Sequence, residues 1–157
     1  MCPPRMTKSP MNIRTAVAIL AWLPVLLWMA AIFIMSSFPG VEVERRASRI
    51  EELVPVAGKA VVHPATFHVA VYALLAAFTF VWARFQKGPV LSSGLTAVVV
   101  TIVYGGTDEL HQAFVPGRSC SAADVGYDAM GALLGVLACW LAVRAAAWRA
   151  RAKNTPH

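Results

Sequence analysis

The chain has 157 residues, enough for one domain, with 58% hydrophobic and only 14% charged residues. Soluble domains carry roughly 45–50% apolar and about 25% charged residues, so this composition, with a mean hydropathy of +0.61, excludes a water-soluble globular protein, a disordered tail and a disulfide-stapled scaffold. The net charge of +6 would suggest nucleic acid in a soluble protein. Here the basic residues flank long apolar runs, where they act as topology signals, and no nucleic-acid partner is expected.

Uncharged runs cover residues 15–41, 61–83, 88–107 and 129–143. A bilayer core about 30 Å thick needs ~20 helical residues. The first and third runs meet that length outright. The second meets it if its helix opens near Pro64, a residue suited to the first turn. The fourth must draw in residues from about 122 to 128. The expectation is an all-α, four-transmembrane-helix bundle with helices at about 15–37, 64–83, 89–114 and 122–147. A basic leader covers residues 1–14, one membrane domain covers 15–148, and a basic tail covers 149–157. A signal peptide is the competing reading of the N-terminus, but its apolar run exceeds a typical h-region and no small-x-small site ends it.

Arg5, Lys8, Arg14, Arg84, Lys87, Arg144, Arg149, Arg151 and Lys153 fall on one face of such a bundle. Arg45, Arg46, Arg49, Lys59, Arg118 and all eight acidic residues fall on the other. The positive-inside rule then places both termini in the cytoplasm, in a multi-pass protein of the plasma membrane. Between the first two spans, Val43, Ala47, Ile50 and Val54 make an apolar stripe among Glu and Arg. That pattern fits a short helix lying on the outer membrane surface, or equally a solvated loop.

Ionisable residues at membrane depth are costly and point to function. By helical rise, His68 and Asp128 stand ~24 Å from the cytoplasmic flank and Asp108 ~31 Å. Three helices thus bring polar groups to a similar outer depth. Within helices, His68 and Tyr72, Asp108 and Gln112, and Asp124 and Asp128 are four apart and share a face. Two carboxylates so placed need a cation, a shared proton or a metal, and Arg118 is a candidate cation. Ser121 with Asp124 has the form of a capping box opening the last helix. Gly131 and Gly135 allow close helix approach. No histidine pair at helical spacing, HExxH, nucleophile elbow, phosphate loop or CxxC occurs. No cofactor and no metal site are therefore expected, a divalent cation among the acids being the exception to watch.

The run Asp108-Glu109-Leu110-His111-Gln112-Ala113-Phe114-Val115-Pro116-Gly117-Arg118-Ser119-Cys120-Ser121, followed by Asp124, Asp128 and Gly131, resembles the signature of the VanZ-like family, which reads DExxQxFxPxRxxSxxDxxxNxxG. His68 with Tyr72 is similar to the family's earlier HxxxY element, and Ser36-Ser37 with Pro39 to its end of helix 1. Two positions depart from the pattern: Ala65 where the family commonly has Lys, and Asp128 where it often has Asn. The resemblance implies a link to low-level resistance to the glycopeptide teicoplanin. The candidate site is His68, Tyr72, Asp108, Glu109, Gln112, Arg118, Ser121, Asp124 and Asp128. It would bind or act on a cell-envelope component such as a lipid-linked precursor or an anionic lipid, with Arg118 on a phosphate and Asp108, Glu109 or Asp128 as acid/base or cation ligand. In the alternative, the polar motif only locks the helix bundle and the protein acts through a partner. Catalysis and oligomeric state stay open.

Overall fold

A computed structural model describes residues 17, 20–54 and 63–153. The basic leader, the loop 55–62 and the last four residues of the tail lie outside the described residues. Five helices appear among them: α1 (Leu23–Ser36), α2 (Gly40–Leu53), α3 (Pro64–Phe85), α4 (Val90–Gln112) and α5 (Ala122–Lys153). There is no strand among the described residues.

Proline sets where helices open. Pro64 occupies the first turn of α3 after His63, and Pro39 and Pro89 precede α2 and α4, positions where a missing amide costs nothing. Between α3 and α4 the chain reverses over a turn in which Lys87 takes φ +60° and the Arg84 guanidinium donates to the Gly88 carbonyl. The last helix runs on past residue 147 to Lys153. The stretch expected to be a tail is helical that far because its Ala, Arg and Lys are strong helix formers. At ~1.5 Å per residue this helix exceeds a bilayer core, so its basic end projects beyond it.

The helices α3, α4 and α5 are each long and apolar enough to cross a membrane. The pair α1 and α2, bent by 103°, makes up to four spans if counted as one. Burial is inverted relative to a soluble protein. Leu27, Leu91, Val103 and Leu133 are exposed, while Asp108, Glu109, Gln112 and Asp128 are buried. Such an outside is solvated by lipid, since water would favour the opposite arrangement.

The tightest packing joins α3 to α5, and glycine permits it. A Cβ on Gly131 would lie 3.1 Å from the Ala73 nitrogen and 3.2 Å from Tyr72 Cβ, and one on Gly135 would collide with the Ala73 carbonyl. Helix α1 docks through an apolar cluster of Val25, Ile32, Val71, Tyr72 and Leu75. Two hydrogen bonds latch it: Trp28 Nε1 donates to the Val71 carbonyl (2.9 Å) and the Tyr104 hydroxyl to the Met29 carbonyl (2.6 Å).

Candidate functional site

The site lies where α3, α4 and α5 meet the segment after α4. His68 Nδ1 is 2.8 Å from Asp128 Oδ1, with Asp128 wholly buried. The Tyr72 hydroxyl donates to Asp108 Oδ2 at 3.1 Å. Gln112, one turn beyond Asp108, donates from Nε2 to the same Asp108 oxygen (2.9 Å) and to Glu109 Oε1 (3.2 Å). One amide group thus ties two buried carboxylates. Asp128 fits against α4 because position 105 is glycine: a Cβ there would stand 2.7 Å from Asp128 Oδ2.

The opening of α5 completes the network. Ser121 Oγ accepts from the Asp124 amide at 3.3 Å, the forward half of a capping box. The return bond comes from elsewhere, because the Ser121 amide donates to Glu109 Oε2 at 2.9 Å. Glu109 on α4 therefore fills the role that Asp124 would have in a self-contained cap. Asp124 is half-buried one turn before Asp128.

Arg118 stands apart from the acids. Among the described residues it makes no ion pair and its buried Nε has no hydrogen-bond partner. The side chain that meets Asp128 in the site is His68, a pairing between helices that spacing along the chain does not reveal. Arg118 instead lines a cavity of about 330 Å³ together with Ile32, Met35, Phe67, Val71, His68, Tyr72, Asp108 and Gln112. Its walls are mostly apolar, with a polar patch where Tyr72, Asp108 and Gln112 are hydrogen-bonded together.

The charged helix α2 forms part of that cavity. Val43, Ala47 and Ile50 line it, as does Arg46. The stripe found in the sequence belongs to a real helix, and three of its four members turn toward this cavity. The Arg46 guanidinium lies 4.1 Å over the Phe38 ring and bonds Glu42 at 2.9 Å, holding that carboxyl below the usual carboxylate range. Glycine again allows the approach. The Gly40 amide donates to the Pro116 carbonyl at 3.1 Å, and a Cβ on Gly40 would strike the Gly117 carbonyl. Gly117 has φ +73°, a left-handed conformation suited to glycine. Nearby, Ser37 Oγ donates to the Phe33 carbonyl and is left to accept from His111 Nε2 at 3.0 Å, while the His111 ring stacks on Phe33 at 4.4 Å.

Of the nine candidate residues, seven (His68, Tyr72, Asp108, Glu109, Gln112, Ser121 and Asp128) join through hydrogen bonds of their side chains and, for Ser121, its amide as well, and Asp124 joins through its backbone amide alone. Those bonds form two sets, His68 with Asp128 and Tyr72 with Asp108, Gln112, Glu109 and Ser121. Arg118 adjoins them across the cavity and Asp124 stands at the edge. Sequence reasoning missed Gly105, Arg46 and the Ser37–His111 latch. A glycine facing Asp128 across two helices carries no signal along one chain, whereas Arg46 lay within the striped segment and could have been noticed.

No curated protein and no solved structure matches the chain. A family model described as VanZ/LLP1 matches residues 21–143, a stretch that contains every residue of the site. The motif from Asp108 to Gly131 and the model agree, and the chain belongs to the VanZ/LLP1 family.

Proposed function

We propose that this protein crosses the plasma membrane four times, with both termini in the cytoplasm and the cavity opening near the outer leaflet. There it binds an amphipathic, anionic envelope component, a phosphate-bearing lipid or lipid-linked wall precursor. One observation carries this reading. Arg118 presents a buried, unpartnered guanidinium nitrogen on an otherwise mostly apolar cavity. A guanidinium seeks planar, two-pronged anionic partners, and the apolar wall suits an acyl or prenyl chain. Arg46 supplies a second cation lining the same cavity. Any link to teicoplanin resistance comes with the family and would require that the ligand be a wall precursor.

A second reading has its own support. The His68–Asp128 contact and the chain from Tyr72 through Asp108, Gln112 and Glu109 to Ser121 would by themselves lock three helices together. The two readings separate in native mass spectrometry of the purified full chain with phosphatidylglycerol, a polyprenyl phosphate and zwitterionic phosphatidylcholine. The binding reading expects retention of one or both anionic lipids and its loss in Arg118→Ala and Arg118→Lys. Equal retention of phosphatidylcholine, or unchanged retention in both variants, supports the lock alone.

A further inference from the structure

Behind the polar patch of the cavity, three helices contribute one metal-type donor each: His68 from α3, Glu109 from α4 and Asp128 from α5. Their donor atoms all lie within 4.8 Å of one another. We propose that these three residues hold a first-row divalent transition ion, with zinc as the best fit. Zinc–nitrogen and zinc–oxygen bonds of about 2.0–2.2 Å place neighbouring tetrahedral ligands roughly 3.3 Å apart. The widest separations therefore need to shorten by up to about 1.5 Å, and the His68 Nδ1–Asp128 Oδ1 pair, now 2.8 Å apart, to open by about half an ångström.

Charge gives the independent reason. Asp108, Glu109 and Asp128 are all buried, at 5%, 1% and 0% exposure. Asp108 Oδ1 and Asp128 Oδ2 are buried with no hydrogen-bond partner among the described residues. A fully protonated His68 would offset one of three such charges, and Arg118 pairs with none of them among the described residues. Unpaired carboxylates at membrane depth are strongly unfavourable. A doubly charged ion supplies the missing compensation and can use the free lone pairs of Asp128.

The surroundings resemble the support that metal ligands usually have. Glu109 is fixed on one oxygen by Gln112 Nε2 and on the other by the Ser121 amide. Each oxygen keeps a second lone pair for a cation. An imidazole in the set favours zinc over magnesium, calcium and manganese, which prefer oxygen ligands. Three protein ligands leave a fourth position for water or substrate, and His68, which also lines the cavity, gives the ion an entry path. Donors scattered over three helices are invisible to a search for histidine pairs along one helix, so spacing along the chain could raise a cation among the acids but not bring His68 to it.

The proposal stands independently of lipid binding, because zinc content and lipid retention are separate measurements. The test uses full-length protein in detergent, in a Cys120→Ser background that removes an exposed thiol able to take zinc by itself. After equilibration with micromolar zinc and desalting, elemental analysis should find about one zinc per chain, and zinc should raise the melting temperature. Glu109→Gln and Asp128→Asn keep side-chain shape and remove buried charge, so both should fold. Each should weaken zinc binding by at least about tenfold, the loss typical even of residues that only support metal ligands. Wild-type protein that keeps no zinc, or both variants binding zinc with wild-type affinity, would overturn the proposal.

Discussion

His68 and Asp128, separated by 60 residues, meet at 2.8 Å between α3 and α5, the histidine side chain 12% exposed and the aspartate 0%. This contact ties together the two most closely packed helices at the depth where lipid would otherwise surround a charge. Removing one partner of a buried pair leaves the other uncompensated, at a typical cost of about 3–5 kcal/mol.

His68→Ala should therefore lower the melting temperature sharply in detergent containing a chelator. Adding Asp128→Asn to it should recover much of the loss, because an amide needs no counter-charge. A double variant as unstable as His68→Ala would show that the histidine acts through packing and not through its partner's charge.

Glycine substitutions offer a cleaner reading of the helix contacts. Gly135→Ala drives a methyl group into the Ala73 backbone, whereas Gly106→Ala meets nothing within 4 Å. The first should destabilise by about 1–3 kcal/mol through forced separation of α3 and α5. The second should be neutral or stabilising by up to about 1 kcal/mol, since alanine is the better helix former. Thermal unfolding of the two variants side by side checks this, and equal losses would contradict the described α3–α5 packing.

These contacts mark the limit of what one chain discloses. The apolar runs revealed α3, α4 and α5, because a bilayer demands length and hydrophobicity that are counted directly along the sequence. Shared helix faces brought Asp108 with Gln112 and His68 with Tyr72, since four-residue spacing is local. What stayed hidden depends on how helices rotate against each other. That His68 faces Asp128, that Tyr72 reaches Asp108 and that Gly105 makes room are relations between helices. Arg118 lay close enough to the acids in sequence to look like their counter-ion. The turn at Gly117, with its left-handed backbone pinned against Gly40, sends the chain toward α2 and leaves that guanidinium on the cavity wall.

Topology can be tested without purification. The cytoplasmic face is expected to hold nine of the fourteen basic residues and none of the acids. A reporter fused after His157 should therefore report the cytoplasm, and one inserted near Gly58 the outside. The same side for both would mean that one of α3, α4 and α5 does not cross, because three crossings between the reporters must place them on opposite faces.

The last prediction concerns the two arginines of the cavity, which differ in how they are held. Arg46 is already engaged, bonded to Glu42 through Nε and stacked on Phe38, whereas the buried Nε of Arg118 has no partner among the described residues. An anionic headgroup must compete with Glu42 for Arg46 but with nothing for Arg118. Arg118→Ala should therefore cost more affinity for an anionic lipid than Arg46→Ala. A charged hydrogen bond lost from such a site is worth about 1.5–3 kcal/mol, roughly a tenfold to hundredfold weakening. Glu42→Gln should do the reverse, releasing Arg46 toward the cavity and tightening binding, with little effect on stability because the pair is exposed. Lipid titrations of the three variants against wild type, followed by native mass spectrometry, give the ranking. Weaker binding by Glu42→Gln, or a larger loss from Arg46→Ala than from Arg118→Ala, would move the anion site from the Pro-Gly turn to α2.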